Sequence, residues 1–240
     1  MNLSSTAKSA YVSGMRGIRF LAHKTGIIDR LSAKLPDRRA HWWLSLLAIH
    51  DIDAMVALDV PWWTYDSIDR IEDFLKERPK ANVFEYGSGA STVWLSQRAA
   101  HVVSIEHDAG WYEIVSDRVR QFGNVDLKFV PEDAEFETDY GSAKAGFEGS
   151  SFKSYASVIN LAKGPFDLIV VDGRARVACV KEAFKHLADD GLIVFDNSNR
   201  KEYRSVIHAL DAEVIEYPGR VPSLPYKDQT TLIRARATAG

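Results

Sequence analysis

From residue 81 onward, short apolar runs alternate with helical stretches, the pattern of a parallel sheet whose strands are joined by crossover helices. Strands are expected near residues 82–86, 101–106, 126–130, 167–172, 192–196, 212–217 and 230–234. Helices fit between them at 91–98, 111–122, 176–187 and 200–210. The last two strands are separated only by residues 218–228, which hold three prolines, so they should pair as an antiparallel hairpin at one sheet edge. The expected fold class is α/β, a seven-stranded, mostly parallel sheet. Residues 132–157, rich in Gly, Ser and acids, are long enough for a functional loop.

Residues 1–79 read as an N-terminal helical extension and 80–240 as the main domain. A buried helix is expected over 41–58, a turn at Pro61, and an amphipathic helix over 66–78, with Ile68, Ile71 and Leu75 at i, i+3 and i+7. The first 28 residues lack acids and place Tyr11, Met15, Ile18 and Ala22 on one helical face. They read either as a basic amphipathic helix, packed on the body or touching an anionic surface, or as a transit peptide.

The net charge of −3 hides a split. Residues 1–50 carry eight Lys or Arg against Asp29 and Asp37; the remainder has 22 basic against 31 acidic side chains, a net of −9. The composition, 46% hydrophobic and 26% charged, excludes disorder and collagen-like repeats. The apolar stretch 42–49 falls far short of the ~20 residues that span a bilayer, so no transmembrane helix is expected. One cysteine, Cys179, forms no internal disulfide, and a cytoplasmic, reducing location is expected. The oligomeric state is left open.

Chemistry concentrates at residues 83–92, where a predicted strand runs into the glycine turn Gly87-Ser88-Gly89 and opens a helix. Glycine allows positive φ and close approach of a ligand to the backbone. At the carboxyl ends of a parallel sheet, this turn lies beside the switch point where ligands bind. Glu85 stands two residues before the first glycine. Glu106 ends the next strand, 19 residues after Gly87, where a carboxylate accepts both ribose hydroxyls. A dinucleotide site calls for a third glycine where this chain has Thr92, and Glu85 is unfavourable beside a diphosphate. S-Adenosylmethionine has a ribose and an ammonium group but no phosphate, and the charges favour it.

Residues 81–235 resemble the class I S-adenosylmethionine-dependent methyltransferases, Rossmann-like enzymes with an E-x-G-x-G motif, here Glu85, Gly87 and Gly89. The resemblance implies that Gly87, Ser88 and Gly89 lie under the donor and that Glu106, followed by His107, binds the ribose. It also implies that Asp133, followed by Ala134, meets the adenine, and that Asp172 lies near the methionine end and the acceptor. Asp172 is then the candidate catalytic base, with His107 second. His186 and His208 read as ordinary helix residues.

Arg174, Arg176, Asn197, Arg200 and Tyr203, with Arg204, leave strand ends on the face of the glycine turn. They are candidate contacts to an acidic or sugar-like acceptor, or members of a salt-bridge network with the acidic body. Asp172, Asp196 and Asn197 also resemble the metal-binding oxygens of catechol-type O-methyltransferases, a set suited to Mg²⁺. That branch has a lysine shortly after its first Asp, whereas this chain has Ala175 between two arginines, so Mg²⁺ is not favoured. Trp62 and Trp63 wall the acceptor pocket or pack the extension, and Pro218 to Tyr226, with Arg220, lies in a hairpin where the resemblance places substrate contacts. The expected activity is methyl transfer to a small or medium-sized acceptor, favouring oxygen. A nicotinamide-dependent oxidoreductase and a non-catalytic binding module are the alternatives. Nucleic acid is not expected as acceptor, since the acidic body repels phosphate and no N-P-P-Y motif follows the fourth strand.

Overall fold

The computed structural model describes residues 18, 21–22, 24–35, 37–48, 51–142, 146–147 and 149–236. Among the described residues, the helices α1 (Ile27–Ser32), α2 (Arg38–Leu46), α3 (Ile52–Ala57) and α4 (Tyr65–Lys76) precede the sheet. There follow β1 (Asn82–Tyr86), α5 (Ala90–Ser96), β2 (His101–Glu106), α6 (Ala109–Val119), β3 (Val125–Phe129), α7 (Lys153–Ser157), β4 (Phe166–Val171), α8 (Arg176–His186), β5 (Leu187–Asp196), α9 (Lys201–Ala209), β6 (Ala212–Arg220) and β7 (Lys227–Ala235).

The seven strands form one sheet in the order β3-β2-β1-β4-β5-β7-β6, with β7 antiparallel to both β5 and β6. The chain leaves β1 toward β2 and returns on the other side as β4, so the switch point lies between β1 and β4. Alternating side chains enter two cores. Val83, Val102, Leu168 and Val194 pack beneath the layer that includes α3 to α6. Phe84, Ile105, Ile169 and Phe195 face α7 to α9. Burial on both faces explains the continuous apolar runs of the central strands.

The expected 41–58 helix is in fact two, because Asp51 accepts the Ala54 N–H and caps a new start. Nor is that stretch buried throughout: Trp43 is 56% exposed. Strand β6 runs through Pro218, where a loop was expected; β6 is the sheet edge, and there a missing N–H costs no ladder bond. Strand β5 starts five residues early, at Leu187, with a register shift between Phe166 and Leu168 on its partner. Segment 132–157 is structured in part: a single turn at Thr138–Tyr140, helix α7, and bridges from Ser151 to Asp133 and Gly141. Of the proposed N-terminal amphipathic face, Tyr11 and Met15 lie outside the described residues, Ile18 is exposed and Ala22 buried. Among the described residues, no helix is long and apolar enough to cross a membrane.

Candidate active site

The turn after β1 is held by its own side chains. Glu85 is fully buried, and its carboxyl accepts from Ser91 Oγ at 2.5 Å and from Thr92 Oγ1 and Ser104 Oγ at 2.6 Å each. Burial pushes Glu85 up to about 7, against the pull of these three hydroxyls. Thr92 Oγ1 also accepts the Gly89 N–H at 2.9 Å. A helix-opening amide that a phosphate would need is therefore already used, and by the residue that replaces the third glycine. Gly87 has φ +97°, and a Cβ there would lie 2.8 Å from the Gly173 backbone. A Cβ on Gly173 would lie 2.0 Å from Tyr155 Oη. The β1 and β4 turns thus pack backbone to backbone, which requires glycine on both sides.

Glu106, 2% exposed, closes one flank. Its Oε2 accepts from Ser88 N (3.2 Å) and Ser88 Oγ (2.9 Å), and its Oε1 from the amides of His107 (2.8 Å) and Asp108 (2.9 Å). Burial would raise its pKa, but the His107 ring, with Nδ1 2.8 Å from Oε1, and these donors outweigh that and hold it below the usual carboxylate range. The His107 ring meets Phe147, Phe152 and Tyr155 edge-on at 5.6, 5.7 and 6.1 Å. Buried His107 Nε2, Tyr155 Oη and Arg174 Nε have no hydrogen-bond partner among the described residues. Three unanswered polar atoms around one flank suit a polar ligand.

Two indoles flank the turn on the other side. Trp62 reaches within 3.5 Å of the position a Gly89 Cβ would take, and its Nε1 donates to Ser223 Oγ. Trp111 Nε1 donates to the Ser88 carbonyl at 2.8 Å. Sequence reasoning missed Trp111, as it missed the Ser91, Thr92 and Ser104 hydroxyls on Glu85. The one signal was an aromatic residue three positions after the helix cap Asp108.

Opposite Glu106 stand Asp172 and Asp196, at the ends of the adjacent strands β4 and β5. The Arg176 guanidinium ties them together: Nη2 donates to Asp172 Oδ1 and O (2.7 Å each), Nη1 to Asp196 O (2.5 Å) and Nε to Gly173 O (3.1 Å). Burial raises both carboxyls, with Arg176 opposing, and Asp172 adds to the rise at Asp196. Trp63 Nε1 has no partner within hydrogen-bond geometry among the described residues, yet lies close enough to favour the charged form of Asp172. Asp196 Oδ1 accepts from Thr230 Oγ1 at 2.7 Å.

The remaining candidates are dispersed. Asp133 receives the Ser154 amide at 3.1 Å and so fastens segment 132–157, while Ala134 beside it is exposed. Arg174 lies 4.8 Å over the Phe147 ring. Arg176 is 8% exposed with its donors spent on the chain itself. Tyr203 is 5% exposed and packs on Phe195 in the core, with Arg200 above it on the surface. Asn197, at φ +50°, donates to Asp228. His186 meets Asn160 and His208 meets Glu216, both away from the turn. Asp172, Asp196 and Asn197 do not fit a metal: Arg176 already supplies the cation, Asp196 is 3% exposed, and the Asn197 amide is turned to Asp228. No cluster of metal-ligating His, Cys, Asp or Glu occurs among the described residues.

A family model described as a methyltransferase domain matches residues 84–198. Among solved structures, cofactor-bound Rv0187 from MTB superposes with a TM-score of 0.57 at 17% identity, covering 80% of this chain and 90% of that one. A methyltransferase-like protein from Silicibacter pomeroyi gives a TM-score of 0.46 at 21% identity, with coverage of 70% and 87%. The first likeness speaks for the fold; the second is too loose to carry weight. No curated protein matches the chain in sequence.

Proposed function

We infer from the match of residues 84–198 to a methyltransferase-domain model that the chain is a methyltransferase of the class I, S-adenosylmethionine-dependent type, and we propose that it methylates a small or medium-sized acceptor at oxygen. What supports a phosphate-free, cationic donor is the glycine turn itself: the Gly89 amide is taken by Thr92, and Glu85, Glu106 and Asp172 surround the turn. The same features disfavour a nicotinamide dinucleotide. The residues fit the donor, since Glu106 is held ionised and unpartnered polar atoms lie beside it. Glu106, Ser88 and His107 hold the nucleoside end, with Asp133 and Ala134 on the adenine side; Gly87 and Gly89 let the backbone approach. Of the four donors on Glu106, the Ser88 hydroxyl is the rotatable one, and it is the donor a ribose hydroxyl replaces. Glu85 acts through the turn, whose hydroxyls it anchors.

When bound, S-adenosylmethionine supplies a methyl on a sulfonium whose departing thioether takes the C–S electron pair. As the acceptor oxygen attacks and the C–O bond forms, Asp172 takes the hydroxyl proton. Its Oδ1 is held by Arg176, which leaves Oδ2 for the acceptor. Arg176 is a positioning residue: removing one partner of a buried pair costs about 3–5 kcal/mol, so its loss would damage the fold before it revealed a substrate contact. The residues present call for no Mg²⁺. The acidic body favours a small acceptor over nucleic acid, and buried Cys179 suits a reducing, cytoplasmic setting.

The test is Asp172→Asn with methyl-labelled donor. Transfer should fall about 100-fold, within the range for loss of a general base, while affinity for S-adenosylhomocysteine stays within roughly threefold. In the parent protein, transfer should rise with pH through a pKa above the usual Asp value, because the base is the deprotonated form; the variant should lose that limb. Unchanged turnover would remove Asp172 from the base role.

A further inference from the structure

Two indoles meet over the second glycine of the β1 turn. A Cβ on Gly89 would lie 3.5 Å from Cζ3 of Trp62 and 3.9 Å from Cζ2 of Trp111, and the two rings stand 6.5 Å apart with a 40° tilt. Both residues are half-buried. Their N–H groups are already engaged, Trp62 donating to Ser223 Oγ at 3.3 Å and Trp111 to the Ser88 carbonyl at 2.8 Å. What lies nearest Gly89 is therefore the benzenoid ring of each, which has no proton to donate and whose π face attracts cations.

Elsewhere in the chain such faces already hold a guanidinium: Arg98 lies 4.2 Å from the Trp94 ring and Arg220 4.6 Å from the Trp42 ring. Among the described residues, no Lys or Arg stacks on Trp62 or Trp111. The pair is also held in place from behind. Ser223, which receives Trp62, is 1% exposed at φ +64°, with its N–H on Ser45 Oγ at 2.9 Å and its hydroxyl 2.8 Å from Met55 Sδ. Trp111 stands in the first turn of α6, where the cap Asp108 accepts its backbone N–H at 2.8 Å. The same Ser88 whose carbonyl holds Trp111 donates to Glu106, so the indole is tied to an ionised carboxylate of the site.

We propose that Trp62 and Trp111 form an aromatic wall for the donor's sulfonium, through which the site tells the charged donor from its neutral product. This deepens the methyltransferase reading and rests on it. With the ribose on Glu106 and the amino-acid end toward Asp172, the sulfur between them falls at the β1 turn, where the indoles are. Transfer breaks the S–CH3 bond as the new C–O bond forms; the electron pair of the broken bond stays on sulfur, and the sulfonium becomes an uncharged thioether. The attraction to the rings ends with that charge, so the wall holds the donor and releases the product. Trp62 thereby gives the helical segment a part in donor binding, whereas its neighbour Trp63 is fully buried in the core.

The experiment is isothermal titration of the full chain with S-adenosylmethionine and S-adenosylhomocysteine, read as the ratio of their affinities. The parent should prefer the charged donor about tenfold, within what aromatic faces add for a cation taken from water. Trp62→Leu and Trp111→Leu keep apolar bulk and lose the π face, so each should cut that ratio at least about threefold, chiefly by weakening S-adenosylmethionine. Trp62→Phe keeps a ring and should retain most of the preference, which separates charge from packing of the extra methyl. Trp43→Leu, an exposed indole on α2, should leave both affinities unchanged. Unaltered S-adenosylhomocysteine binding by Trp62→Leu shows that this variant folds; should it not fold, the ratio in Trp111→Leu decides. Equal affinity of the parent for the two ligands, or the parent's ratio kept in the leucine variants, overturns the inference and leaves the donor reading in place. Failure of both adenosyl compounds to bind the parent removes the donor reading, and the wall with it.

Discussion

Four donors converge on Glu106, and three hydroxyls on Glu85, yet the two carboxyls behave in opposite ways. Glu106 receives backbone amides and is held ionised below the usual range; Glu85 sits deeper and is pushed up to about 7. Glu106→Gln should therefore weaken S-adenosylhomocysteine binding at least tenfold by calorimetry, because the amide repels the turn's N–H groups and cannot hold a ribose as an anion does. Ser88→Ala should cost far less, since that donor is the one the ribose displaces. Equal losses in the two variants would contradict these roles. For Glu85 the linkage has a definite sign. Between its ordinary value of 4.5 and about 7 the folded chain keeps a proton that the unfolded chain has released. Stability from this group is thus lost as pH rises through that window, by about 3 kcal/mol in all. Glu85→Gln should flatten that part of the profile in urea unfolding measured from roughly pH 5 to 8. An unaltered slope would mean that another group sets it.

Among the elements, the β1–α5 turn and the β4–α8 turn form one unit, because Gly87 and Gly173 touch through their backbones. Gly87→Ala meets both a left-handed φ and a 2.8 Å contact, so it should destabilise the chain by about 2 kcal/mol or more, read as a lower urea midpoint. Stability close to the parent's would mean the turn can open without cost. Much at this level was legible beforehand. The alternation of apolar runs located all seven strands, and on the central ones burial on both faces leaves a local trace. The E-x-G-x-G turn was legible because glycines answer a local backbone demand. What was not legible depends on distant partners. Nothing near Trp111 says that its indole will hold the Ser88 carbonyl, and nothing near Ser104 says that it will face Glu85. Pro218 read as a loop because its tolerance inside β6 depends on that strand being the edge. Arg176 read as an acceptor contact or a member of a salt-bridge network; its burial follows from strand ends that meet only in the folded sheet.

Across the molecule, the uneven charge seen in the sequence acquires a place. Carboxylates of the acidic body, Glu85, Glu106 and Asp172, crowd the glycine turn. Two of the eight basic residues near the N-terminus, Arg38 and Arg39, come to line a separate cavity with Arg220. Helices α3 and α4 contribute Met55, Ile68 and Ile71 to the same core as Val83 and Val102 of the sheet, so donor side and helical segment are packed as neighbours. The glycine turn is expected to receive a nucleoside that is cationic and free of phosphate. The most direct test of this is isothermal titration of the full chain with S-adenosylmethionine, S-adenosylhomocysteine and NADH. Saturable binding of the first two, lost in Glu106→Gln, with no binding of NADH, is the expected result; binding of NADH without either adenosyl compound would contradict the account.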